Sequence, residues 1–303
     1  MSKIGPFFNP VEWVKAYRFH KRNSTFDKST YDLELYLYSK ILNNNMLHWG
    51  YFENFVISPD SISLKMVEEA QIKYAENIIE QITDHQHPVL DVGCGMGGLA
   101  ELMMKQKMNV EVLTPNKNQI QHIRNTLQNL VSHHCKFEQL VSERKYGTVI
   151  NSESLQYIRL EDAFRKVDEI IMSGGKWIIV DYFRLNETGI NKSAHLLKDF
   201  EQKLVENNWT KTVERDITPH VLPTIQFANL YFNRFLVPVK HYVYEKLRYK
   251  KGWLYYLTTN LRASIDKKIT KEEASIDPAQ FVNEKKYMFF VLQKNTTTND
   301  SVE

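Results

Sequence analysis

Two cysteines in 303 residues, Cys94 and Cys135, exclude a disulfide framework and a metal cluster of the Cys-x-x-Cys type. No apolar run approaches the ~18 residues that a membrane-spanning helix needs. The opening Met1-Ser2-Lys3-Ile4-Gly5-Pro6 has no apolar signal core, so a cytoplasmic protein is expected. A net charge of +3 is too small to argue for nucleic acid as a partner. The remaining composition, 43% hydrophobic and 25% charged, is that of an ordinary globular chain. Its length suits one core of about 200 residues with additions.

What is present is concentrated in one stretch. Val89 to Val92 reads as a short apolar strand carrying Asp91; Gly93, Gly95 and Gly97 follow as a tight turn, and Leu99, Leu102 and Met103 open a helix. Glycines take left-handed dihedrals and let a ligand lie against bare backbone, while the amides at the helix start face it. Dinucleotide sites favour Gly-x-Gly-x-x-Gly, which admits a pyrophosphate. This chain reads Asp-x-Gly-x-Gly-x-Gly instead.

Strands and helices alternate from there. Strands are expected over 110–113, 135–139, 148–151 and 177–181, and helices over 61–82, 119–127 and 160–171, the last stopped at Gly174-Gly175 as a C-cap. A helix over 194–206, an alternating strand over 212–218 and an apolar strand over 287–293 follow. The pattern predicts an α/β, Rossmann-like fold: a mostly parallel sheet with helices on both faces and ligands at the strands' C-terminal ends. It divides into a helical N-terminal cap over 1–60, a core over 61–218, a helical insertion over 219–286, a final core strand over 287–294 and a disordered tail over 295–303. The cap is read from Trp13, Tyr17 and Phe19, then Tyr31, Leu35, Tyr38 and Leu42 at helical spacings. The insertion holds ten aromatics from Phe227 to Tyr256, and six Lys or Arg against one acid from Arg234 to Lys251.

Asp-x-Gly-x-Gly-x-Gly resembles motif I of the class I S-adenosylmethionine (SAM) dependent methyltransferases. The resemblance implies SAM as cofactor, with its methionine end held by Asp91, Gly93, Gly95 and Gly97, and an antiparallel edge formed by the last two of seven strands. The run Leu113-Thr114-Pro115-Asn116-Lys117-Asn118-Gln119 resembles the Gly-Leu-Thr-Leu-Ser-x-x-Gln segment of the cyclopropane fatty acid and mycolic acid synthase family. That likeness implies that Thr114 and Gln119 hold the ribose in place of the usual acid; helix capping is the alternative. The family's Tyr-Ser-Cys-x-Tyr-Phe segment is matched by Leu47-His48-Trp49-Gly50-Tyr51-Phe52, which implies cofactor contacts at His48, Trp49 and Tyr51. Trp49 stands where the family has its cysteine, and Gln156-Tyr157 where it has Glu-His. Both changes remove groups associated with a bound carbonate base, so simple methylation is expected rather than cyclopropane formation.

Glu153, on the loop after the fourth strand, is similar in place to an acid of the sterol and prenyl-diphosphate C-methyltransferases. There it would stabilise or deprotonate a cation formed during methyl transfer; alternatively it contacts the cofactor's amino group or caps a helix. Tyr157 and His220 are further catalytic candidates, His220 as a general base for O-methylation. Tyr182 and Arg184 are candidates for the substrate. The expected activity is C- or O-methylation of a hydrophobic small molecule such as a lipid, polyketide or terpenoid. A nucleic-acid methyltransferase is disfavoured because no Asn/Asp-Pro-Pro-Tyr segment follows the fourth strand. A membrane-surface module with a vestigial SAM site is the reading from another class. Val239, Tyr242, Val243 and Leu247 share a helical stripe among Lys240, Lys246, Arg248, Lys250 and Lys251, which would make residues 234–251 a peripheral membrane contact.

Overall fold

The computed structural model describes residues 9–23, 41, 44–188 and 194–294. Parallel strands β1 (Val89–Val92), β2 (Val110–Leu113), β3 (Val131–His133), β4 (Tyr146–Ser152) and β5 (Ile171–Arg184) join an antiparallel pair, β6 (Trp209–Asp216) and β7 (Lys285–Lys294). The sheet order is β3-β2-β1-β4-β5-β7-β6, so β7 inserts between β5 and β6. Chain direction reverses its lateral course between β1 and β4, the switch point at which open α/β sheets bind ligands.

Side chains alternate across this sheet. In β5, Ile178 and Val180 pack on one side with Tyr74 and Ile78 of α2 (Leu64–Ile79) and Met103 of α3 (Gly98–Lys105). Trp177, Ile179 and Phe183 pack on the other with Phe164 of α5 (Leu160–Ile170) and Phe200 of α6 (Leu197–Glu206). Burying each such side chain contributes roughly 2 kcal/mol, so the strand is fixed from both faces. Helix α2 buries the expected stripe of Val67, Ala70, Tyr74 and Ile78, and Ser63 caps it by accepting from the Met66 amide at 3.3 Å. Helix α4 (Lys117–Thr126) follows β2.

Several boundaries differ from the sequence reading. The third strand is Val131–His133 rather than 135–139, because His133 Nε2 meets the buried Glu111 carboxylate of β2 at 2.8 Å; Phe137–Gln139 is a single 3-10 turn. Gly174-Gly175 does not end a helix. Helix α5 stops at Ile170, β5 starts at once, and Gly174 (φ 75°) lies in an irregularity between the Tyr146–Ile171 and Thr148–Lys176 pairings. Thr218 opens helix α7 (Thr218–Tyr231) instead of closing a strand.

Between β6 and β7, α7 runs through a π turn (Phe232–Leu236) into α8 (Val237–Lys250), followed by α9 (Gly252–Leu257), α10 (Thr259–Ser275) and α11 (Pro278–Glu284). In the region expected as a cap, helix α1 (Pro10–Asn23) holds Trp13, Tyr17 and Phe19, each exposed by more than half. Tyr31, Leu35, Tyr38 and Leu42, and the tail over 295–303, lie outside the described residues.

Candidate active site

The glycine loop forms as its spacing requires. Gly93, Gly95 and Gly97 all take left-handed φ, at 77°, 56° and 85°, and Gly97 caps α3. Gly93 is also a point of contact between strands. A Cβ there would stand 2.4 Å from Ser154 Cβ, and Ser154 cannot retreat because its hydroxyl bonds Val92 O and Asn151 Nδ2. Asn151 in turn accepts from the Trp177 indole at 2.8 Å.

A cavity of about 250 Å³ opens over this loop, lined among others by Leu47, His48, Asp91, Gly93, Gly95, Gln119, Ser152, Glu153 and Tyr157. Three buried acceptors stand in its polar wall. Asp91 Oδ2 is buried without a hydrogen-bond partner, and burial pushes the carboxyl up to about 7. His48 Nδ1 lies 2.9 Å from Trp49 O; a carbonyl only accepts, so that nitrogen carries the proton and Nε2 is a bare lone pair, also buried and unpartnered. Burial holds this imidazole neutral, with its pKa lowered to about 4, and its ring stacks on Tyr74 at 4.1 Å.

Glu153 is the third acceptor. It follows β4 with φ 50°, an unusual conformation for a non-glycine residue. Its Oε1 accepts from the Trp49 amide at 2.8 Å and from the Tyr287 hydroxyl at 2.5 Å. Tyr287 is met by Tyr74 at 3.1 Å, and Tyr74 also lies 3.2 Å from Ser152 Oγ and 3.3 Å from Val180 O. Burial raises the Glu153 carboxyl to about 7 against the opposing effect of the two hydrogen bonds. Asp181, buried nearby on β5 and accepting from the Gln156 and Tyr182 amides, is pushed to about 8 by burial and by the Glu153 charge.

A second, more apolar cavity of about 320 Å³ shares Gly93, Gln119, Glu153 and Tyr157 with the first and reaches Leu113, Thr114, Pro115, Lys136, Phe137 and Glu138. Thr114 donates to Gln119 Oε1 at 2.6 Å, while helix α4 is capped by Asn116, whose side chain accepts from the Asn118 and Gln119 amides. Capping therefore does not require Thr114. With Oε1 taken, the Gln119 amide is left to donate.

Not every residue named from the sequence lines these cavities. Trp49 contributes its amide, while its ring packs on Phe281 at 5.4 Å. Tyr51 stacks on His220 at 4.2 Å, and His220 Nδ1 lies 2.9 Å from Phe52 O; both rings stand outside the lining of the two cavities. His220 thus joins α7 to the N-terminal segment rather than facing the cleft. Tyr182 and Arg184 belong to β5 itself: Lys285 Nζ lies 4.4 Å over the Tyr182 ring, and Arg184 Nε donates to Ala194 O at 3.0 Å. Tyr157 is 81% exposed at the mouth. Sequence reasoning missed Tyr287 and the role of Tyr74. Both sit in apolar runs that signal core, and nothing in either run announces that their hydroxyls meet Glu153. Among the described residues no group of His, Cys, Asp and Glu could hold a metal ion, and no helix is long and apolar enough to cross a membrane.

The donor set fits SAM. Three acceptors around a glycine loop suit a ligand bearing an ammonium and a sulfonium, and the apolar neighbouring cavity beside Thr114 and Gln119 suits a planar base joined through a diol. Comparison with known proteins agrees. The chain resembles in structure the cyclopropane synthase MmaA2 from Mycobacterium tuberculosis, at 14% identity and TM-score 0.61 over 88% of this chain and 95% of that one. It also resembles geranyl diphosphate C-methyltransferase from Streptomyces coelicolor A3(2), solved with Mg2+, geranyl-S-thiolodiphosphate and S-adenosyl-L-homocysteine, at 14% identity and TM-score 0.54 over 82% and 87%. The cyclase SpnF, at 16% identity and TM-score 0.62 over 88% and 93%, shares the fold as well, so likeness of fold does not fix the reaction. No curated protein matches the sequence. The profile of the family "Mycolic acid cyclopropane synthetase" matches residues 19–250, well over half the chain. The chain therefore belongs to the mycolic acid cyclopropane synthetase family of SAM-dependent methyltransferases.

Proposed function

We propose that the protein methylates a carbon of an apolar, unsaturated small molecule, a lipid or terpenoid. The observation that carries this reading is Glu153: a buried carboxyl at the end of β4, clasped by Tyr287 and the Trp49 amide, lining the cavity that fits the cofactor. Bound SAM supplies an electrophilic methyl group. Asp91 and His48 Nε2 would accept from the methionine ammonium, the glycine loop would lie along the methionine chain, and Thr114 and Gln119 would hold the ribose. Methylating an alkene creates positive charge where none existed, and an anion fixed in a dry site favours that state over the ground state. Glu153 can then take the proton the methylated product must lose. Trp49, Gln156 and Tyr157, standing in place of the family's Cys and Glu-His, support methylation over ring closure. The test is incubation with methyl-labelled SAM and a panel of prenyl diphosphates and unsaturated lipids, read by mass spectrometry. Label on a carbon of one of them is expected; label confined to oxygen would overturn C-methylation.

The helical insertion favours a second, compatible reading, contact with an anionic lipid surface. Lys240 meets Asp266 of α10 at 2.8 Å, and the Arg262 guanidinium lies 5.6 Å from the Tyr244 ring centre, so that side of α8 is packed. Leu247 turns half-buried rather than joining the outer stripe. Phe235, Val239, Tyr242, Val243 and Tyr249 form that stripe, each more than half exposed, and Lys246, Arg248 and Lys250 are exposed around it. An exposed aromatic stripe with basic flanks is complementary to anionic headgroups, whereas a second copy of the same face would bring like charges together. Co-sedimentation with phosphatidylglycerol-containing vesicles but not with pure phosphatidylcholine, lost in Val239→Asp, is expected. Equal recovery with both would exclude charge recognition, and self-association through this face would appear as a dimer in sedimentation velocity.

A further inference from the structure

The bonds to Glu153 are arranged in a way that methyl transfer alone does not require. Both donors, the Trp49 amide and the Tyr287 hydroxyl, fall on Oε1, and Oε2 has no partner among the described residues. Tyr287 can donate its single proton only once. Because it spends that proton on Glu153, Tyr287 can only accept from Tyr74, whose own proton is shared among Tyr287, Val180 O and Ser152 Oγ; both phenols are fully buried. The clasp joins the end of β4 to β7 and, through Tyr74, to α2, so the carboxyl can swing away only by giving up both hydrogen bonds on Oε1. Among the described residues no Lys or Arg pairs with Glu153. Its titratable neighbours are the two phenols and Asp181 on β5; across the first cavity stand Asp91, Cys94, Tyr157 and the neutral His48, and Lys136 and Glu138 line the second cavity, with neither paired to it. A buried carboxyl with acids and phenols around it, and no cation paired to it, either keeps its proton or takes its counter-charge from a ligand.

We infer that Glu153, fixed by the Tyr287–Tyr74 phenol pair, makes this site discriminate between the sulfonium form of the cofactor and its uncharged thioether product, S-adenosylhomocysteine (SAH). SAM and SAH differ by one methyl group and one positive charge. Every contact to ribose, base and methionine end is common to both, so a difference in affinity must arise where the charge is. Removing that charge leaves the carboxylate without its counter-ion and weakens retention of the spent cofactor. Glu153 is thus a specificity-determining residue for cofactor exchange, and Tyr287 and Tyr74 are its positioning residues. The inference rests on the cavity being the cofactor site.

Calorimetric titration of the intact protein with SAM and with SAH tests it without knowledge of the acceptor. The wild type is expected to prefer SAM, and the preference is expected to rise with pH through about 7 as Glu153 ionises. Glu153→Gln is expected to weaken SAM by about tenfold or more, the scale of a partly screened close ion pair, while leaving SAH unchanged. Tyr287→Phe removes a donor to the charged form, so the pH at which the preference appears should move up, with the preference at high pH retained. Tyr74→Phe should do the same to a smaller degree. If Glu153→Gln weakens SAM and SAH equally, the carboxyl grips a group common to both and the inference fails while the cofactor site stands. Failure of both ligands to bind folded wild type would instead overturn the site. A wild-type SAM/SAH ratio that is constant between pH 6 and 8.5 would refute the inference without any variant.

Discussion

On the β1 and β2 side of the cleft, most residues facing the cofactor site come from two short stretches, 91–99 and 113–119. On the β4, β5 and β7 side, the groups that meet or influence Glu153 come from positions 49, 74, 181 and 287. The first side is specified by local backbone chemistry: left-handed glycines, an Asn116 cap and a Thr–Gln pair five residues apart. The second exists only once the sheet is complete, because β7 must insert beside β5 before Tyr287 reaches Glu153. A contiguous stretch can hold what many related enzymes share, whereas chemistry particular to one substrate is assembled from separate elements.

The sharpest way to break the local side is Gly93→Ala. The new Cβ would combine a left-handed φ with a 2.4 Å approach to Ser154. A loss of about 3 kcal/mol in unfolding stability is expected, read as a lower denaturation midpoint, with SAM binding lost in whatever protein remains folded. An unchanged midpoint would show that the β1 and β4 ends are not packed as described.

The assembled side should instead reveal itself through pH. Glu153 and Asp91 are raised to about 7 and Asp181 to about 8, from ordinary values of 4.5 and 3.8. A carboxyl with a raised folded-state pKa favours folding fully below its unfolded value and loses that contribution as pH rises through the folded one. Without ligand, stability should therefore fall between about pH 5 and 8, by about 3 kcal/mol for Glu153 alone, and SAM should restore more of it at pH 8 than at pH 6. Melting curves across that range, with and without SAM, check this; a stability that rises steadily from pH 5 to 8 would contradict it.

Glu153→Gln keeps shape and removes charge. Turnover at saturating SAM is expected to fall roughly 100-fold once an acceptor is in hand, the scale for one preorganised electrostatic group. Gln119→Ala, on the local side, should cost only about 1 kcal/mol of SAM affinity. An affinity equal to wild type would leave the Thr114–Gln119 bond a matter of loop structure.

This contrast also explains what the sequence could show. The order of strands, the glycine loop and the stripe of α2 were legible because each is written in adjacent residues. The third strand was misplaced because the pairing that fixes Val131–His133 is made by Glu111, two elements earlier. Gly174-Gly175 imitates a helix stop, yet the chain needed those residues inside β5. His220 looked like a base at a strand end, and the structure spends it on Tyr51 and Phe52. Tyr287 was invisible as a functional residue since its neighbours, Met288 to Leu292, are all core.

On this reading the cavity holds buried acceptors, partly protonated without ligand, that a cationic ligand would ionise. Calorimetry of SAM binding at pH 7 in buffers of different ionisation heat measures this directly, because a cation that ionises Glu153 or Asp91 must expel protons to the buffer. The binding enthalpy is expected to change with the buffer in the direction of proton release, and less so in Glu153→Gln. Identical enthalpies in every buffer, with SAM bound to folded protein, would contradict the account.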